Sequence, residues 1–245
     1  MSINIVIYVM FLTDKVRYTN QVPIHKPEII HTIMGDLFPT SELSKAQQTR
    51  LRIIQAAIKS YAESSFEETT PEKIANMCDI SRPLVLHYFK NRDVIFEYVM
   101  KFIRGNLQSL AVQAIHRESD IAKVMVAYIN VSFDWIENFP EHAKVWQLFF
   151  YNCSTTKKYH KLNSELVGQG HKRIVALIKQ GVQTKVFVCK NPLLAAKMIQ
   201  LAITGYFVVR LTEKSELDHE EIRGETLRAC LRYAGAKIPI IGRLI

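Results

Sequence analysis

The sequence predicts an all-α protein, with a small three-helix head followed by a larger helical bundle. Three observations carry this. Apolar residues recur at helical spacing through almost the whole 245-residue chain. Only 9 Gly and 8 Pro are present, too few for a sandwich or barrel built on tight turns. The one segment of strand-like composition, 185–189, has no partner strand, and a lone strand is not stable.

Nine helices are expected. The first spans about 46–63, with Leu51, Ile54, Ile58, Tyr61 and Ala62 on one face. Two short helices follow, at about 70–77 and 81–89, separated by a break at Asp79–Ser81. Six longer helices come next, divided at Glu118–Asp120, Asn138–Pro140, Cys153–Thr156, Lys185–Pro192 and Lys214–Asp218. Ile121, Met125, Tyr128, Ile129, Phe133 and Ile136 make one inward stripe. Trp146, Phe149, Phe150 and Cys153 make another, and Leu162, Leu166, Ile174, Leu177 and Ile178 a third. The last two helices are expected at about 191–213 and 218–235.

Composition narrows the class further. The chain is 48% hydrophobic and 22% charged, which marks a folded globular protein. Its four cysteines, 78, 153, 189 and 230, form no Cys-x-x-Cys pair, so neither a disulfide framework nor a zinc ribbon is expected. The net charge of +9 is spread along the chain and does not by itself establish an anionic partner. Residues 3–12 are apolar but lack the basic flank of a signal peptide and are half the length of a membrane span. The apolar stretch Leu193–Val209 is interrupted by Lys197, Gln200 and Thr204 and reads as a buried helix, so the expectation is a cytoplasmic protein with no membrane partner. Residues 1–44 read as an extension outside the fold, with Met34 as an alternative start.

The informative stretch is 69–89. Thr70 can cap a helix whose first turn holds Pro71, where a missing N–H costs nothing. Ile74 and Cys78 face inward together, and Ala75 lets a second helix cross closely. The turn falls at Asp79, a residue that tolerates the left-handed conformation, and Ile80 plugs it into the core. Ser81 can cap the next helix, with Pro83 in its first turn and Val85 packed inward, as is one edge of Tyr88 or Phe89. This is helix-turn-helix spacing, whose second helix enters a DNA major groove. On that helix Arg82, Pro83, Leu84, Leu86, His87 and Tyr88 are expected to face out. Arg82 can donate a planar fork to guanine or phosphate, Pro83 and Leu84 can meet thymine methyls, and His87 and Tyr88 can bond base edges. Thr69, Thr70 and Ser81 sit where the helix starts can hold phosphates, and Lys90 and Arg92 extend that track.

These residues resemble the TetR/AcrR family of one-component transcriptional regulators. The match runs from Arg50, Ile53, Ile54, Ala56 and Ala57 through Thr69-Thr70, Ile74-Ala75, Ile80-Ser81 and His87-Tyr88-Phe89 to Asn91-Arg92-Asp93. A weaker match lies at Gly181-Val182, Phe187, Asn191-Pro192, Ala195-Ala196 and Gly205. Ser65, Asp79 and Lys185 stand where the family often has Gly, and Leu86 where it often has Tyr. The resemblance implies a DNA-binding head at 45–92, a helical ligand-binding and dimerisation domain at 93–236, and a C-terminal tail at 237–245. It implies a homodimer on a palindromic double-stranded operator, released by a small-molecule effector and needing no cofactor.

For the dimer interface the candidates are Leu201, Ala202 and Gly205 on one helix and Ile222, Thr226, Ala229 and Tyr233 on the next. Met100, Phe133, Trp146, Phe149 and Phe150 are candidate pocket residues. Lys157, Lys158, Lys161, Lys172 and Arg173 read as a solvated basic face, with an anionic ligand as the alternative. His160 and His171 lie about 16 Å apart along a helix axis and cannot share a metal. The phosphate-binding, zinc-protease, dinucleotide and Ser-hydrolase motifs are missing, so no enzyme is expected. The alternative to the regulator is a dimeric interaction module whose helix-turn-helix no longer binds DNA.

Overall fold

A computed structural model describes residues 44–213 and 216–244, without the side chains of residues 238 and 243. The described residues are all-α: ten helices and no strand. Expectations for residues 1–43, including the alternative start at Met34, lie outside them.

Helix α1 (Lys45–Glu63) opens with a capping box in which Ser44 and Gln47 satisfy each other's backbone N–H. Ser44 thus belongs to the folded head. Helix α2 (Pro71–Cys78) is capped by Thr70, whose hydroxyl accepts from the Lys73 N–H at 3.2 Å. Asp79 then takes the left-handed conformation, φ 52°, and the Ile80 N–H bonds back to the Ala75 carbonyl in a Schellman-type stop. Helix α3 (Arg82–Tyr88) follows at once, with Val85 fully buried beneath it. Ser81 holds the N-cap position, but contrary to expectation its side chain makes no capping bond. Ser65 keeps a negative φ and exchanges bonds with Glu68, so it does not need the conformation that favours glycine.

Helix α4 (Arg92–Ile115), capped by Asn91, leaves the head and enters the bundle. The bundle continues with α5 (Ile121–Asn138), α6 (Pro140–Thr155) and α7 (Lys158–Gln183). Helices α8 (Pro192–Thr212) and α9 (His219–Ala234) close it. The 185–189 segment makes one isolated bridge, Phe187 to Ala236, rather than a strand. It is held by two glycines. A Cβ on Gly181 would stand 2.1 Å from the Phe187 ring, and Gly235 adopts φ 86° against the Val188 carbonyl. Residues 237–245, expected as a tail, contain a short helix α10 (Ile238–Leu244) whose Ile241 is buried in the core.

The apolar stretch 193–209 differs from its sequence reading. Within one chain, α8 buries only Ala195, Ala196, Ile199, Tyr206 and Phe207. Leu193, Leu194, Leu201 and Val208 are exposed.

An aromatic junction joins head to bundle. Phe96 of α4 packs its ring 4.9 Å from Tyr61, 5.0 Å from Phe66 and 5.5 Å from Tyr159. Phe149 extends the cluster, 6.1 Å from both Phe96 and Tyr159. Edge-to-face geometry adds to burial at such contacts, so the cluster resists sliding of α1 over α4.

Candidate nucleic-acid interface and effector cavity

Helix α3 presents Arg82, Pro83, Leu84 and His87 to solvent, with Ser81 before them and Lys90 after. Arg82 lies 3.9 Å from Glu72, and both side chains are largely exposed. Such a pair is weak, so the guanidinium is available to an incoming phosphate or base. Thr70 is exposed at the start of α2, on the same turn as Glu72 and Lys73.

Three residues, Thr69, Arg92 and Leu86, depart from the expected outward placement, while Tyr88 turns one edge inward as its reading allows. Thr69 is fully buried, with its hydroxyl 3.0 Å from that of Ser60 and 3.2 Å from the Ser65 carbonyl. Its job is to tie the loop to α1. Arg92 lays its guanidinium 4.3 Å over the Phe66 ring and donates to the carbonyls of Phe66 and Glu67. It braces the loop rather than extending a phosphate track. Leu86 and Tyr88 are half-buried, and Arg50 reaches over the Tyr88 ring. The short helix has two sides, and its buried side takes Tyr88 with Val85 and Phe89.

The head is held to its own geometry by bonds between helices. Arg52 of α1 donates to the Cys78 carbonyl at the end of α2, at 2.5 Å. Burial raises the Cys78 thiol, with Arg52 opposing, which leaves it a packing group rather than a nucleophile. Burial likewise pushes Cys153 up to about 11 and Cys230 up to about 12.

A cavity of about 160 Å³ opens between α4, α5, α6, α7 and α8. Trp146 and Phe150 line it, as expected from the aromatic stripe. Met100, Phe133 and Phe149 do not. All three are fully buried. Phe133 faces Tyr206 at 4.4 Å and lies beneath the Arg223 guanidinium, while Phe149 belongs to the head–bundle junction. The five aromatic and apolar candidates share helical stripes, but stripes on a buried helix face several neighbours at once.

The polar cavity wall was not foreseen. It comprises Arg104 and Gln108 on α4, Tyr128 and Ser132 on α5, Gln169 and Arg173 on α7, and Gln200 and Thr204 on α8. Arg104 donates to Gln169, and the Arg173 guanidinium lies near the Tyr128 hydroxyl. Burial raises Tyr128, with Arg173 opposing. Arg173 thus leaves the basic face to which it had been assigned. Arg104–Gln108 and Gln169–Arg173 are polar pairs four residues apart, each on one helix face. Such pairs beside apolar stripes were the available signal.

Among the described residues no cluster of three His, Cys, Asp or Glu side chains could hold a metal ion. Among the described residues, only α8 is long and apolar enough to cross a membrane.

The fold, a head with an exposed α3 on a helical bundle, is that of helix-turn-helix transcriptional regulators. Residues 53–99 match the family described as bacterial regulatory proteins, tetR family, so the head is a TetR-family DNA-binding domain. No curated protein matches the chain. Solved structures extend the likeness over the bundle. A bacterial regulatory protein in the tetR family from Rhodococcus RHA1 is 19% identical, with TM-score 0.63 over 79% of this chain and 99% of that one. The fatty acid degradation regulator FadR from Bacillus halodurans is 16% identical, with TM-score 0.66 over 74% and 94%. A protein from Saccharomonospora viridis solved in complex with choline is 16% identical, with TM-score 0.70 over 78% and 98%. At these identities the shared property is the fold.

Proposed function

We propose that this protein is a homodimeric transcriptional regulator that binds a palindromic operator through α3 and is released from it, as a repressor, by a small molecule in the bundle cavity. One observation carries the reading. The outward side of α3 holds Arg82, Pro83, Leu84 and His87, all accessible, while Val85 and Phe89 anchor the opposite side. Arg82 would read bases or phosphates; Thr70 and Lys90 would hold the backbone on either side.

The unpartnered apolar residues of α8 support a dimer. Leu201 and Gly205 are exposed, as is Tyr233 on α9, with Ala202, Ile222, Thr226 and Ala229 half-buried around them. Leu201, exposed by 53%, is a large apolar group that a second copy of the same face would cover. The two recognition helices would then address half-sites one helical turn apart, about 34–36 Å. One structural relative, solved in complex with choline, supports the use of such a fold with a small molecule.

Footprinting on the protein's own flanking DNA, with and without a cell extract, tests the reading. A protected palindrome that is lost with the extract is the expected result. No protection anywhere, with folded dimeric protein, would favour the interaction module.

A further inference from the structure

We propose that the cavity takes an amphipathic monoanion: a small molecule with one carboxylate and an apolar body. This deepens the effector reading above and rests on it. The inference starts from the charges of the wall. Arg104 and Arg173 line the cavity, and no Asp or Glu does. Among the described residues no carboxylate lies within ion-pair distance of Arg173. The group that faces it across the wall is the Tyr128 hydroxyl, which carries no charge. A guanidinium half-buried against apolar surface with no carboxylate beside it, as Arg173 is, gains most from an incoming anion, and Arg offers a carboxylate a planar fork.

The two cations are brought to one side of the cavity by the chain itself. Arg104 bonds Gln169, and Gln169 stands one helical turn before Arg173 on α7. Gly170, between them, has no side chain to fill the space, and a Cβ there would rest 3.6 Å from the Tyr128 hydroxyl. The apolar part of the wall is built by Trp135, Trp146, Phe150, Leu166, Ile203 and Phe207. These rings would also suit a quaternary ammonium by cation–π attraction. Two guanidiniums in the same wall oppose that choice, because like charges repel most strongly where water is excluded.

The protein carries its own reporter. It has only 2 Trp, Trp135 and Trp146, and both line the cavity. Tryptophan emission of the full-length protein is titrated with octanoate, octanol and octyltrimethylammonium, which share one tail. Octanoate is expected to change the emission with a Kd at least tenfold lower than either companion. Arg173→Gln should erase most of that preference while keeping octanol binding, which also shows that the variant is folded. Equal or tighter binding of the alcohol or the ammonium overturns the proposal, as does silence to all three. Operator titration with and without octanoate separates the two readings. Octanoate selectivity without any effect on DNA binding keeps the ligand class and removes the effector role. DNA release by the ammonium alone does the reverse.

Discussion

The Lys158 ammonium, at the first residue of α7, lies 2.9 Å from the Asp93 carboxylate, at the second residue of α4. The Tyr159 hydroxyl donates to the other oxygen of that carboxylate at 3.2 Å. The hydrogen bond from Lys158 is the main reason the Asp93 carboxyl sits below its ordinary value of 3.8, with burial working against it. Helix α7 therefore grips the helix that leaves the head and, a few turns on, supplies the cavity wall from Leu166 to Ile174. On the proposed effector reading, a ligand that shifts that wall would pull on the head through α4, to the extent that it binds the two arrangements unequally.

Loosening the grip should uncouple cavity from head. For Lys158→Ala we expect cavity ligands to bind within about threefold of the parent, a 1.4 kcal/mol change being tenfold. The ligand-induced loss of operator affinity should shrink. Anisotropy titrations of labelled operator with saturating ligand and without it measure this, and an undiminished response would place the coupling elsewhere.

Lys90 and Arg92 are both basic and two residues apart, yet they should behave differently. Lys90→Ala is expected to lower the slope of log affinity against log salt by about one, the mark of a lost phosphate contact. Arg92→Ala should leave the slope unchanged and lower the melting temperature, because its guanidinium is engaged on Phe66 and two carbonyls. Arg82→Ala should weaken specific binding more than non-specific binding.

His142 makes stability pH-dependent. Its ring is stacked on Phe139 and edged by Phe102 and Trp135, and burial depresses it from 6.5 to about 4. The unfolded chain takes up the proton first, so stability falls as pH drops from the unfolded value to the folded one. The loss is on the order of 3 kcal/mol across that window. Asp93 acts lower down: its contribution, present above its unfolded pKa, is lost as pH falls through the depressed folded one. Urea melts of the parent and His142→Leu between pH 7 and pH 4 should diverge, with the variant nearly flat.

Gly181 lies under the fully buried Phe187 ring. Gly181→Ala should force that ring aside and destabilise by about 1–3 kcal/mol, the usual cost of overpacking. Calorimetry reads it directly; a variant as stable as the parent would show that the ring has room to move.

Charge placed on the open face of α8 should prevent self-association. Leu201→Glu is expected to run as a monomer in light scattering and to lose operator binding at nanomolar protein, while its melting shows an intact fold.

The amino-acid sequence by itself determined the helical class, the breaks between most helices and the local geometry of the head. The cap at Thr70, the left-handed turn at Asp79 and the buried Ile74 and Val85 depend on neighbours a few residues away, so spacing and side-chain chemistry suffice to place them. Tertiary packing alone decided which residues of a stripe meet the cavity. Phe149 and Phe150 are adjacent, yet Phe149 joins the head junction and Phe150 faces the cavity, since successive helical residues point about 100° apart toward different partners. The same holds for charge. Arg92 and Arg173 look like surface cations in the sequence, but contacts 26 and 45 residues away turn one onto Phe66 and the other onto Tyr128. No local pattern encodes such distant contacts; they exist only once the helices are packed.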